Sequence, residues 1–283
     1  MKKVSKKKVV IKKAVATKKT VTKTNSSWLG LLSVGNVLGL IAVLVVNYLA
    51  VSIPIGGIST GALSDLYPNL FVPAALTFSI WGLIYLLLIA FVIRQLVDFY
   101  KRKSTGITKK IGIWFLLSCA ANVGRMFAWQ YQQLVLSLLV IVFFLITLIV
   151  IAKRIEIGKK IGSLGDKYLV QVPFSIYLGR LCVATIANAT ALLVHFGWGM
   201  WGMSDIFWTN LMIVIAAVLA LLSIKKTYNI MFALVVVWAF IGIIIKRVAV
   251  DPVYAHSIIW TLGSCITIIA YSIGANFEQR KKN

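Results

Sequence analysis

Two arginines, Arg125 and Arg180, lie in long apolar stretches that contain no Asp or Glu. A guanidinium in hydrocarbon costs about 2.5–3.5 kcal/mol on insertion scales, and no acid within these stretches can neutralise either one. A bound anion, such as a carboxylate or a lipid phosphate, would satisfy both the charge and the bidentate donor geometry. The alternative is that Arg125 snorkels outward while Arg180 bonds backbone carbonyls or a water-filled cleft. Counted along the helices, Arg125 falls near one end of its span and Arg180 near the middle of its own, so one ligand bridging both would have to be long.

Rings and amides accompany the arginines at helical spacing. Asn122, Arg125, Met126 and Trp129 share one face, and Pro173, Tyr177, Arg180, Ala184 and Asn188 share another. Phe78, Trp81 and Tyr85 form a third stripe. Polar groups facing lipid are costly, so these faces should point into a bundle or a cavity, as interhelical bonds or as a binding wall. Catalysis has no comparable set of residues. The chain lacks Gly-x-Ser-x-Gly, a Walker loop and His-Glu-x-x-His, and no intramembrane carboxylate is present to relay protons. His195 and His256 lack a carboxylate partner, and Cys119, Cys182 and Cys265 sit singly in apolar runs, so no metal or disulfide is expected. The reading is non-enzymatic.

The elements that must position these residues are set by composition. Of 283 residues, 60% are hydrophobic and 13% charged, with a mean hydropathy of +0.93. These values exclude an ordinary cytosolic enzyme and a disordered chain. The periodicity predicts an all-α polytopic transmembrane bundle of about eight spans, at 28–53, 73–97, 111–130, 133–152, 168–195, 207–224, 229–246 and 256–275. Pro173 is a candidate break in the fifth. The formal net charge of +23 is unevenly placed. Twenty-five of the 30 Lys and Arg fall in residues 1–26, the even-to-odd connections and the C-terminus. By the positive-inside rule both termini are cytoplasmic, in a plasma or inner membrane.

Residues 1–26 carry ten lysines and no acid, which predicts a disordered tail at anionic lipid headgroups. Nothing in it could read bases, so nucleic acid is not the expected partner. A polar stripe in the last span, Thr261, Ser264, Thr267 and Tyr271, reads as glue between helices.

Three segments carry a resemblance. Pro68 and Pro73 precede Phe78-Ser79-Ile80-Trp81-Gly82-Leu83-Ile84-Tyr85; Asn122 precedes Phe127 and Trp129; Pro173 precedes Ala184-Thr185 and Asn188. In order and helix number these resemble the second, third and fifth helices of the TspO/MBR family, the tryptophan-rich sensory or translocator proteins. Arg125 and Arg180 stand where the family pattern has tryptophan. The resemblance covers roughly residues 28–195 and implies a five-helix core at 27–195, with three additional helices and a short basic C-terminus at 196–283. It also implies a pocket beneath the 54–72 connection, with Trp81, Tyr85, Asn122 and Asn188 at family positions, the substituted Arg125 and Arg180, and Trp129 and Tyr177 beside them. The implied function is binding of a hydrophobic small molecule, tetrapyrrole-, sterol- or lipid-like, for sensing or trafficking, and an anionic one if the arginines hold it. No cofactor is required beyond such a bound tetrapyrrole or lipid, and a homo-oligomer is left open. A small-molecule transporter without a carboxylate relay is the alternative.

Overall fold

In hydrocarbon a backbone can bond only to itself, so apolar runs of this length must become helices. The computed structural model describes residues 28–53, 55–101, 106–159, 163–251 and 253–282, and their regular elements are all helical. The Lys-rich stretch 1–26 lies outside them. Seven helices are long and apolar enough to cross a bilayer. They are α1 (Trp28–Ser52), α2 (Ile80–Tyr100, led by a 3-10 turn at Ala75–Ser79), α4 (Leu134–Arg154), α5 (Val172–His195), α6 (Asp205–Thr227), α7 (Ile230–Val250) and α8 (His256–Lys282). The remaining long helix, α3 (Trp114–Gln130), has 17 residues, about 25 Å against a hydrocarbon core of about 30 Å. The unbroken 111–130 span is thereby corrected. A separate turn of helix, Gly106–Ile111, precedes α3, and Gly112 at φ 58° divides the two. Pro173 acts as expected but one turn earlier: Lys167–Gln171 is π-helical, widening the helix where the proline ring would crowd the carbonyl four residues back.

The connections fall into two groups that confirm alternate crossings. At one end Gln130 Nε2 donates to the carbonyls of Ala50 (3.3 Å) and Ile58 (3.2 Å), Lys246 pairs with Asp65 (3.1 Å), and the Tyr254 hydroxyl donates to Asp205 (2.7 Å). At the other end Arg94 joins Asp98 (3.3 Å) to Asp166 (2.6 Å), and Glu156 pairs with Lys110 (3.3 Å) and Lys159 (2.7 Å). Gly158, at φ 89°, fits beneath the Thr227 carbonyl there, where no Cβ could stand. This second end is the basic one. Arg247, expected in a connection, is instead inside the last turn of α7.

Two apolar clusters hold the helices. One joins α1 to α5 around Ile84, Phe115, Phe144, Phe174 and Leu181; the other joins α5 to α8 around Ile213, Ala220, Phe240, Leu262 and Ile269. Helix α5 contributes to both, with Tyr177 in the first and Val183 in the second. Helix α8 turns Ile258, Leu262, Cys265 and Ile269 inward. Its polar stripe faces the opposite way: Tyr271 is 79% exposed, and Thr261 and Thr267 donate to carbonyls of their own helix. That corrects the expected glue, because an i−4 bond satisfies a hydroxyl without any partner helix.

The feature that positions the site is the connection from α1 to α2. After a short helix at Thr60–Asp65, the chain turns back among the helices instead of staying at their ends. The Ala74 N–H donates to the Gly242 carbonyl (2.9 Å), and the Trp238 indole N–H donates to the Thr77 carbonyl (3.2 Å), both near mid-length of α7. Thr77 lies directly on Gly242, where a β-carbon would collide with its side chain. Irregular backbone at that depth is tolerated because protein covers it; Phe71 and Val72 are buried.

Candidate ligand site

Because the 3-10 turn starts α2 deep among the helices, Phe78 and Trp81, both partly buried, are brought beside α3 and α5. Trp81 stacks on Tyr85 with centroids 5.8 Å apart, and its ring meets Tyr177 of α5 edge-on at 6.1 Å. The Arg180 guanidinium lies over Trp81 (5.3 Å) and Phe78 (5.4 Å), and that of Arg125 lies over the same indole (6.0 Å). Helix counting puts the two arginines at different depths, yet both reach the same ring. One indole meets both cations, since α3 is short and α2 begins below its neighbours' ends.

Arg125 is 9% exposed and Arg180 6%, and the Nε of each is buried with no hydrogen-bond partner. Among the described residues no carboxylate pairs with either. Ring contacts at 5–6 Å supply roughly 0.5–1 kcal/mol each at ordinary sites and leave the guanidinium donors unfilled. The arrangement is two cations on one aromatic wall, which is the chemistry of an anion site.

Amides frame the cluster. Asn47 donates to the Asn122 side-chain carbonyl (2.8 Å) and Asn122 donates to the Tyr177 hydroxyl (2.8 Å), tying α1, α3 and α5 together. Nearer the basic end Asn36 donates to Gln95 (3.1 Å). Sequence reasoning missed Asn36 and Asn47, although eleven residues is close to three turns and places both on one face of α1.

Six of the eight candidate residues come together: Trp81, Tyr85, Asn122, Arg125, Tyr177 and Arg180. Trp129 and Asn188 do not join them. Trp129 packs against Tyr67 (6.2 Å) in a separate cluster with Leu63, Leu134 and Ala191. Asn188 donates to the Ser137 hydroxyl of α4 (2.8 Å), an interhelical bond. The histidines are placed by packing: His195 against Tyr67 at 5.9 Å, and His256 accepting from the Trp260 indole at 2.8 Å.

Fold and site together define a multi-pass, all-helical membrane protein with two buried cations set on partly buried aromatic rings. A sequence profile described as TSPO-like protein matches residues 32–275. The chain belongs to the TSPO-like protein family. The match does not stop at residue 195 but continues through the last three helices. No curated relative and no solved structure matches the chain.

Proposed function

We propose that this protein binds a hydrophobic, anionic small molecule within the membrane, for sensing or trafficking and without chemical conversion. A single observation carries the reading: two buried guanidinium groups share the Trp81 ring, and among the described residues no acid pairs with either. A flat ligand with acidic substituents, of the tetrapyrrole class, would lie on the aromatic wall and place its carboxylates on Arg125 and Arg180. Asn122 and Tyr177 are already engaged with each other, so they fix the wall's geometry more than they contact ligand. The basic end of the bundle faces the cytoplasm under the positive-inside rule, which supports a plasma or inner membrane protein with cytoplasmic termini.

The test is an absorbance titration of the purified chain in nonionic detergent with a dicarboxylate porphyrin and with its dimethyl ester. The acid should bind at least about tenfold more tightly, a difference of about 1.4 kcal/mol. Arg180→Ala and Arg180→Trp should erase that preference, the second while keeping an aromatic wall. Equal affinity for acid and ester in all three proteins would sink the proposal.

A further inference from the structure

A second cationic site lies beneath the α1–α2 connection at the end of α5 and shares no residue with the Trp81 cluster. A cavity of about 680 Å³ opens between the α1–α2 connection, the ends of α5 and α7, and the start of α6. That is within the range of small-molecule pockets. Its apolar walls include Phe71, Val72, Leu193, Met212 and Val250.

The polar groups are unequal. Asp65 is held by Lys246 (3.1 Å), and Asp205 accepts from the Tyr254 hydroxyl (2.7 Å) and from the Ile206 N–H (2.8 Å). Arg247 also lines the cavity, is 7% exposed, and has a buried Nε without a partner. Among the described residues it forms no ion pair. Both acids that line the cavity are thus committed, and its buried cation is not.

The rim carries a second signal. Trp198 and Trp208 line the cavity and meet edge to face with centroids 4.7 Å apart, with Trp201 5.6 Å from Trp208 in the same manner. The turn between them holds Met200 (φ 54°) and Trp201 (φ 51°) in the left-handed region, rare for residues with side chains. The Trp208 indole N–H donates to the Met200 carbonyl (3.0 Å) and so secures that conformation. Backbone held in this way clusters at sites where a ligand is gripped.

We infer that this cavity is a separate binding site for an amphiphile with one acidic headgroup, the acid on Arg247 and the hydrocarbon along Phe71, Leu193 and Met212 beneath the Trp198–Trp208 pair. The headgroup could be a free carboxylate or a lipid phosphate, which share this chemistry.

Tryptophan quenching decides between them. The purified full chain in nonionic detergent is titrated with dibromostearate, with its methyl ester, and with phosphatidic acid bearing dibrominated chains. Saturable quenching is expected with one or both acids and at least about tenfold weaker with the ester. Arg247→Met should weaken the acid by a similar factor, Arg247→Lys should recover part of it, and Trp198→Phe/Trp208→Phe should remove most of the amplitude. Arg180→Ala should leave the Arg247-dependent quenching in place, which separates this site from the first. Quenching by dibromostearate alone assigns a free fatty acid, and by the phosphatidic acid alone a bilayer lipid. Equal binding of acid and ester to the wild type overturns the inference whether or not the variants fold, as does unchanged affinity in a folded Arg247→Met protein.

Discussion

Replacing Arg180 by methionine should stabilise the ligand-free protein, the reverse of what most core substitutions do. Methionine keeps an unbranched side chain of similar reach and removes the charge. Burying the guanidinium costs about 2.5–3.5 kcal/mol. Its contacts with Trp81 and Phe78, at 5.3 and 5.4 Å, return about 0.5–1 kcal/mol each. About 0.5–2.5 kcal/mol of uncompensated cost remains, and relief from the second cation on the same indole adds to the gain. The assay is equilibrium unfolding in mixed micelles, monitored by helical ellipticity, with and without a dicarboxylate porphyrin. Wild type should gain about 2.7 kcal/mol at a ligand concentration one hundred times its Kd, and Arg180→Met much less at the same concentration. If Arg180→Met instead loses more than about 1 kcal/mol without ligand, the arginine is a structural member of the core and the anion argument fails.

Three further outcomes follow from the geometry. Asn122→Leu breaks both side-chain bonds of the Asn47–Asn122–Tyr177 chain, leaving a buried hydroxyl unpaired. Interhelical bonds in membranes average about 0.6 kcal/mol and an orphaned buried group costs about 1–3, so the same unfolding assay should show a loss of about 2–4 kcal/mol. Gly242→Ala should push Thr77 off α7, expose the 66–79 segment to limited proteolysis and shift Trp238 emission to the red; Thr77→Gly in the same chain should recover part of both, measurable as coupling in a double-mutant cycle. The Tyr254 phenol is held above its ordinary value chiefly by its hydrogen bond to Asp205. The stability it contributes is complete below about pH 10 and lost as pH rises through the raised value. An ultraviolet difference titration of wild type against Tyr254→Phe should therefore place its ionisation above an ordinary phenol, and Asp205→Asn should bring it down.

Much of the architecture was legible in the chain because lipid leaves the backbone little choice. Helix, length and alternation of charged connections follow from hydrophobic thickness, and seven of the eight expected spans are present nearly where periodicity put them. The eighth was read too long because a single glycine, Gly112, does not interrupt an apolar run, yet its positive φ ends a helix. The stripe Phe78, Trp81, Tyr85 and the pair Arg125 and Arg180 were visible as spacing. Trp129 and Asn188 shared the right helical faces but lie too far along their helices to join the others.

Sequence alone determined that this chain is a membrane helix bundle carrying unneutralised arginines, because hydrocarbon penalises charge and exposed backbone wherever they occur. Only the tertiary structure decided that both arginines meet one indole. That depends on the 66–79 segment folding back to dock on Gly242, a contact between residues about 165 apart in the chain. It also decided that Arg247, which looked like a loop residue, faces a cavity whose two acids are already taken. Local periodicity shows which way a side chain points on its own helix; only the packing of the other helices shows what it meets there.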